Sequence, residues 1–242
     1  MSNILKVLRE QKEMQLKGNL YHITQINFAY NTNHIEGSTL TEEQTRYIYE
    51  TNTLILEDGN TQAKVDDIIE TSNHFKLVDY MLDIADKTLT IDMIKEFHKI
   101  LKTGTSDERK SWFKVGEYKT LANEVGGYET SKPENVANDI NKLLDWYNSL
   151  EKITFNDIIK FHSDFEKIHP FQDGNGRVGR IIMFKECLKN NIVPFIILDR
   201  DKLFYYRGLK EYQHGGEKGY LIDTCLNAQD QYQNLVDKFV GA

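Results

Sequence analysis

Apolar residues recur at three- and four-residue spacing along most of the chain, with glutamate and lysine between them. This period is typical of α-helices that bury one face. An early helix is predicted to end where Gly37 can take the left-handed position after the last turn. Thr41 and Gln44 match a capping box, which predicts the start of the next helix. Two further helices are predicted around the apolar sets Ile68, Ile69, Phe75 and Leu77, and Ile91, Ile94, Phe97 and Leu101.

The helical period stops between residues 114 and 133. Gly126–Gly127 stands there between two short runs of alternating polarity, which predicts the turn of a β-hairpin. Helices are then predicted over 136–150 and 154–168, followed by a well-buried helix that ends near Asn190–Asn191. Its apolar residues are Val178, Ile181, Ile182, Phe184, Cys187 and Leu188. The pattern predicts an all-α fold with one small hairpin.

The segment HPFQDGNGRVGR, residues 169–180, joins the last two of these helices. Asp-Gly-Asn-Gly is common in plain turns. An EF-hand does not fit, because Phe171 and Ile182 would stand at the first and last ligand positions. The glycines satisfy G-x-G-x-x-G, but a dinucleotide fingerprint must directly follow a strand, and here a helix precedes it. The segment is therefore interpreted as a turn that leads into a helix.

Residue types in this segment indicate phosphate chemistry. Free amides at the start of a helix bind anions, and glycine lets a phosphate come close. Arg177 and Arg180 share one face of the first turn, where a cation opposes the helix dipole and a bound anion would relieve that penalty. Asp173 offers the hard oxygen that Mg²⁺ takes alongside phosphates. His169 can act as a base near neutral pH.

Composition narrows the class of protein. The chain has 242 residues and a formal net charge of −7, so we expect one compact domain and no general binding to nucleic acid. The longest apolar run, Ile192 to Leu198, is too short to span a bilayer, and no signal peptide is apparent. Cys187 and Cys225 form neither a metal-ligand pattern nor a disulfide framework. We expect a cytoplasmic protein without membrane attachment.

At residues 169–180 the sequence resembles the Fic family, whose signature is H-x-F-x-[DE]-G-N-G-R-x-x-R. The resemblance implies a Fic-type helical bundle over 61–242, with a β-hairpin flap near 115–133 and a catalytic loop at 169–180. It also implies that residues 1–60 form an N-terminal helical extension.

The resemblance implies a protein adenylyltransferase that moves AMP from ATP to a Ser, Thr or Tyr hydroxyl of a protein docked on the flap. His169 would be the base, and Asp173 would bind Mg²⁺. The implied nucleotide-binding residues are Gly174, Asn175 and Gly176 as an anion hole, Arg177 and Arg180 on the phosphates, and Tyr206 and Gln213 near adenine and ribose. The family also includes homodimers and enzymes that remove AMP. A nucleotide-sensing module without turnover is a further alternative.

An upstream segment, from Thr32 to Gly37, is similar to the inhibitory motif [ST]-x-x-x-E-[GN] of Fic proteins. Glu36 lies at the end of its helix, where the dipole disfavours an anion, just as Arg180 lies where it disfavours a cation. Pairing the two would relieve both penalties. We expect the helix at about 20–37 to be inhibitory, with Glu36 and Thr32 as the residues that inhibit. Transfer of AMP to the enzyme itself is one of the expected activities.

Overall fold

The structure is a computed structural model that describes residues 3–56 and 62–240. Over these residues the chain is mainly helical and has one two-stranded sheet, which confirms the predicted fold class. Within the same ranges, no helix combines the length and the apolar character needed to cross a bilayer. The helices are α1 (Asn3–Met14), α2 (Leu20–Ile35), α3 (Glu42–Thr51), α4 (Val65–Ile84), α5 (Ile91–Lys102), α6 (Pro133–Asn148), α7 (Phe155–Ile168), α8 (Asn175–Lys189), α9 (Lys202–Gln213) and α10 (Gly219–Val240).

Helix α8 lies at the centre of the molecule. It packs against α7, α5, α2 and α4, and every residue from 177 to 188 is buried. A helix without a polar face is stable only when other elements surround it. The N-terminus of α8, with its free amides, is therefore held inside the protein by four neighbouring helices.

The predicted inhibitory helix is α2. It ends at Ile35, and Gly37 follows with φ of +93°, so the predicted end is confirmed. The capping box at Thr41 and Gln44 is also present and begins α3. The predicted boundary between residues 60 and 61 lies in the segment 57–61, outside the described residues.

The predicted hairpin consists of β1 (Glu124–Val125) and β2 (Tyr128–Glu129), paired antiparallel. Gly126 and Gly127 form its turn with φ of +59° and +81°, which glycine adopts readily. The ring of Tyr128 stacks on His214 at the end of α9, with 3.7 Å between ring centroids. The flap tip is thus packed against α9.

A buried ion pair lies near the C-terminal end of α8. Lys185 and Glu186 are 0% and 1% exposed, and their Nζ and Oε1 atoms are 2.6 Å apart. The hydroxyl of Tyr147, on α6, donates to Glu186 Oε2 at 3.0 Å. Burial lowers the pKa of Lys185, which the Glu186 carboxylate opposes. The charges are tolerated here because each has a partner.

Lys185→Met is expected to lower the free energy of unfolding by about 3 kcal/mol, because it leaves the Glu186 carboxylate buried without its cation. Adding Glu186→Gln is expected to recover part of this loss. Urea denaturation measures both. The control is Lys160→Met in the exposed Lys160–Asp164 pair of α7, for which we expect a loss under about 1 kcal/mol. Equal losses at the two lysines would contradict this account.

Candidate active site

The loop between α7 and α8 has a fixed shape. Its first residue, His169, has φ of +52° and ends α7, with its N–H donating to Phe165 O at 2.9 Å. Phe171 is fully buried. The Asn175 side chain accepts from Phe171 N and donates to Phe171 O, both at 2.8 Å. The Asn175 side chain therefore stabilises the loop by binding the backbone of Phe171. Only the backbone amide of Asn175 is left for the predicted contact with phosphate.

His98, on α5, connects the loop to the base of the flap. Its Nδ1 accepts from Gly116 N at 2.9 Å, so Nε2 carries the proton and donates to Asp173 O at 3.2 Å. Its ring also stacks on Phe171, with 4.0 Å between centroids. Burial lowers the pKa of His98 to about 3, which keeps the ring neutral. His98 thus has a structural role beside the reactive residues.

A cavity of about 870 Å³ opens between the loop, the flap and α9. Asp173, Arg177, Gly174 and Asn175 lie next to this cavity and outside its lining. Its lining includes six of the predicted residues: Glu36, His169, Gly176, Arg180, Tyr206 and Gln213. The fold therefore brings the predicted base, one arginine and the predicted inhibitory glutamate to a single space.

Arg180 is 2% exposed and is held by the end of α2. Its Nη2 donates to Glu36 Oε1 at 2.5 Å, and its Nε donates to Thr32 Oγ1 at 2.7 Å. Burial alone would lower the pKa of Arg180, but the Glu36 carboxylate outweighs burial and raises it. A Cβ on Gly176 would lie 2.2 Å from Glu36 Oε1, so only glycine leaves room for this carboxylate. The contact of Glu36 with Arg180 is the one that the sequence predicts, and the bond from Arg180 to Thr32 is an additional finding.

A second cluster surrounds Asp173. Lys102 is 2% exposed, and its Nζ lies 2.5 Å from Glu70 Oε1, 2.6 Å from Asp107 Oδ2 and 2.7 Å from Asp173 Oδ2. Arg177 is buried and bonds to Glu70 and, at 3.2 Å, to Asp173. Burial would raise the pKa of Asp173, but Arg177 and Lys102 outweigh it and hold that pKa well below its usual range. Asp173 is therefore an anion at any physiological pH.

Sequence reasoning missed Lys102, Glu70 and Asp107. They come from α5, α4 and a 3₁₀ turn, at least 60 residues before the catalytic loop. One carboxylate oxygen each of Glu70, Asp107 and Asp173 lie within 4.8 Å of one another. No local motif contains all three, so only the packing of the helices identifies them.

The environment of His169 suits a base. Its side chain is 17% exposed and faces the cavity. Burial, together with the smaller effect of the nearby Lys119 ammonium, lowers its pKa to about 4. The ring is therefore neutral near pH 7 and can accept a proton.

Tyr206 and Gln213 lie in the wall that α9 contributes to the cavity. The Tyr206 hydroxyl donates to Ile35 O at 3.0 Å, and Gln213 Nε2 donates to Ser163 O at 2.9 Å. Tyr206 thus contacts the end of the predicted inhibitory helix. Contact of either side chain with a nucleotide stays a prediction.

Known proteins resemble this chain in sequence. Residues 88–187 match the model of the Fic/DOC family. The chain is 28% identical over 189 residues to a Nematostella vectensis protein named protein adenylyltransferase Fic, an alignment that covers 77% of this chain and 43% of that protein. It is 27% identical over 219 residues to protein adenylyltransferase fic-1 of Caenorhabditis elegans, covering 89% and 41% respectively. The chain thus spans about two fifths of the length of these curated relatives.

Solved structures share its fold. A Fic domain containing signaling protein from Bacteroides thetaiotaomicron superposes with a TM-score of 0.76 at 23% identity, covering 99% of this chain and 97% of that one. A Fic family protein from Desulfovibrio desulfuricans gives a TM-score of 0.73 at 20% identity, covering 98% and 74%. The chain thus contains a segment, residues 88–187, that matches the Fic/DOC family model and includes the complete signature at 169–180.

Proposed function

We propose that this chain is a protein adenylyltransferase that moves AMP from ATP to a Ser, Thr or Tyr hydroxyl, on another protein or on itself. The proposal depends on one observation above all. The neutral imidazole of His169 and the guanidinium of Arg180 line one cavity at the N-terminus of a buried helix. A base, a cation and free amides together suit attack of a hydroxyl on a phosphate. The names of the curated relatives agree with this activity.

In the proposed reaction, His169 accepts the proton of the target hydroxyl while the oxygen attacks the α-phosphate of ATP and pyrophosphate leaves in line. The amides at Gly174, Asn175 and Gly176 would bind phosphate oxygens, because they stand at the positive end of α8. Arg177 and Arg180 would bind the rest of the phosphate chain. Catalysis then depends on positioning and charge neutralisation.

The residues around Asp173 suit Mg²⁺. All the nearby donors are carboxylate oxygens, the type this ion prefers. The Asp173 side chain is 52% exposed, so it can reach a ligand outside the cluster. Three carboxylates face three cations here, Lys102, Arg177 and Lys110, so the charges of the cluster balance before any ion binds. Mg²⁺ held by Asp173 would supply neutralisation of phosphate charge.

The flap offers a surface for the target. All four strand residues, at 124–125 and 128–129, are exposed. Their free edges can pair with an extended segment of another protein. This edge lies on the same cavity as His169, so a docked segment would bring its hydroxyl towards the base.

Glu36 is proposed to restrain the reaction. Its carboxylate is bound to Arg180, one of the two cations proposed to bind the phosphate chain of ATP. Nη2 also donates to Thr32 O at 3.2 Å, so both of its N–H groups are used and a phosphate could bind there only by displacing one of these oxygens. ATP would therefore bind in a less productive position until α2 shifts.

Removal of AMP is a second candidate function. Glu36 is 29% exposed at its side chain and shares the cavity with His169. A carboxylate in this position can orient a water molecule towards an AMP-modified hydroxyl. The two directions of reaction would then share one site.

Glu36→Gly is expected to raise transfer of AMP to protein by about tenfold or more, because about 1.4 kcal/mol of competition for Arg180 suffices for that factor. Intact-mass analysis after incubation with ATP and Mg²⁺ measures the adduct. Glu151→Gly, at an exposed loop position, is the matched control and should leave labelling unchanged. Equal labelling of wild type and Glu36→Gly would reject the restraint. No adduct in either, with loss of AMP from a modified protein, would favour the second function.

His169→Ala in the Glu36→Gly background is expected to lower AMP transfer by about 10²-fold to 10⁴-fold. The pKa of His169 is lowered to about 4, and only the neutral ring accepts a proton. The rate should therefore fall as the pH drops through this value. Initial rates over a pH series measure this limb. Full activity of His169→Ala would remove the base from the mechanism.

Asp173→Asn in the same background is expected to raise the Mg²⁺ concentration for half-maximal activity by about tenfold, because a charged oxygen ligand is lost. Rates measured against Mg²⁺ concentration test this. Asp139→Asn, in the α6 contact with Ser131, serves as a control. An unchanged Mg²⁺ response would place the ion elsewhere.

A further inference from the structure

Helix α7 carries a buried polar stripe that the proposed mechanism leaves unused. His162 and Glu166 are four residues apart on one face of α7, and His169 follows three residues later as the residue that ends the helix. His162 is 1% exposed and Glu166 is 9% exposed. A Cβ on Gly179 of α8 would lie 2.6 Å from Glu166 Oε1 and 2.8 Å from His162 Nδ1. The missing side chain of Gly179 thus makes room for both groups.

Several atoms of this stripe are buried without a hydrogen bond among the described residues. They are Glu166 Oε1, His162 Nδ1 and His169 Nδ1. A backbone group of Gly179 lies beside the His162 ring, and one of Glu166 lies beside the His169 ring. Buried polar atoms are nearly always paired, so a group of them at an active site requires an explanation. Glu166 Oε2 lies 3.9 Å from His169 Nδ1. A small rotation of either side chain would bring these two atoms to hydrogen-bond distance.

We propose that Glu166 is a positioning residue for His169, with its carboxylate accepting the Nδ1–H of the imidazole. This inference rests on the proposed AMP transfer. The bond fixes the ring so that Nε2 takes the target proton. In that step the O–H bond breaks, a new N–H bond forms at Nε2, and the oxygen bonds to the α-phosphorus as pyrophosphate leaves. The Glu166 carboxylate stabilises the imidazolium that results.

Charged and titratable groups face Glu166 from each packed element. They are His162 and His169 on α7, Arg180 on α8, Glu36 after α2, and Tyr205 and Tyr206 on α9, while Lys119 of the flap faces His169. Burial raises the pKa of Glu166, Arg180 opposes this shift and Glu36 adds to it, which together give a pKa of about 8. The stabilising carboxylate therefore becomes more abundant as the pH rises from 7 to 9.

A purely structural role would predict something different. A neutral Glu166 that only fills space could be replaced by glutamine, which has the same shape, with no effect on proton transfer. The pair with His169 instead requires ionisation of Glu166. The pH dependence of the reaction therefore separates the two roles.

The test compares Glu36→Gly with Glu36→Gly/Glu166→Gln in AMP transfer from about pH 5 to about pH 10. We expect the rate of Glu36→Gly to rise through a limb at or below pH 8, since loss of Glu36 removes one cause of the raised pKa. In the double variant this rise of the rate with pH should be absent. The kcat should be lower by about tenfold, and the KM for ATP should be unchanged. Asp164→Asn, half-exposed on the same helix, should behave like its parent.

Glu166→Asp keeps the carboxylate and should keep the limb at a reduced rate. If thermal unfolding shows that Glu166→Gln does not fold, Glu166→Asp takes its place in the comparison of pH profiles. An unchanged pH profile in Glu166→Gln, or a rise in KM without loss of kcat, would overturn the inference.

A second readout is independent of activity. In ¹³C-histidine NMR, the His169 signal is the one that is lost in His169→Ala. In the wild type, the chemical shift of this signal should change as the pH passes through about 8, and in Glu166→Gln it should not change there. If Glu36→Gly transfers no AMP, the proposed function fails and this titration alone decides whether Glu166 couples to His169. Absence of the inflection in the wild type would overturn the coupling.

Discussion

The first turn of α8 places two arginines, Arg177 and Arg180, in the interior at the positive end of a helix. Burial and the helix dipole both disfavour cations there. Each arginine is paired with a glutamate from the N-terminal part of the chain, Glu70 for Arg177 and Glu36 for Arg180. These two ion pairs connect α4 and the end of α2 to the centre of the molecule. The position of the cavity and the shape of the catalytic loop depend on them, because both are built around the same turn.

The same constraint links binding to restraint. Buried cations that could bind phosphates repel one another unless anions are present. In the protein without nucleotide, Glu70 and Glu36 provide these anions. Gly176 permits this at Arg180, because any side chain there would collide with Glu36. Lys102 applies the same principle to Asp173, where one ammonium holds three carboxylates in place. The site is thus held in nearly neutral form, and a nucleotide would replace part of that internal neutralisation.

Burial also acts on the two groups proposed to move protons. It lowers the pKa of His169 to about 4 and raises that of Glu166 to about 8, because it penalises the charged form of each. Near neutral pH the pair therefore holds a single proton and no net charge. When Glu166 is ionised, a proton that His169 accepts from a substrate leaves a carboxylate beside an imidazolium, so the charge formed in the interior is paired.

The sequence by itself determined the helices, the capping box at Thr41 and Gln44, the hairpin at Gly126–Gly127 and the catalytic loop, because these depend on local period and turn chemistry. It also predicted the contact of Glu36 with Arg180, because each charge stands at an unfavourable helix end. Only the tertiary structure placed Lys102, Glu70 and Asp107 around Asp173 and set Glu166 beside His169. A buried lysine or glutamate follows the same local pattern as an exposed one. Its role is decided when distant helices pack and remove it from water.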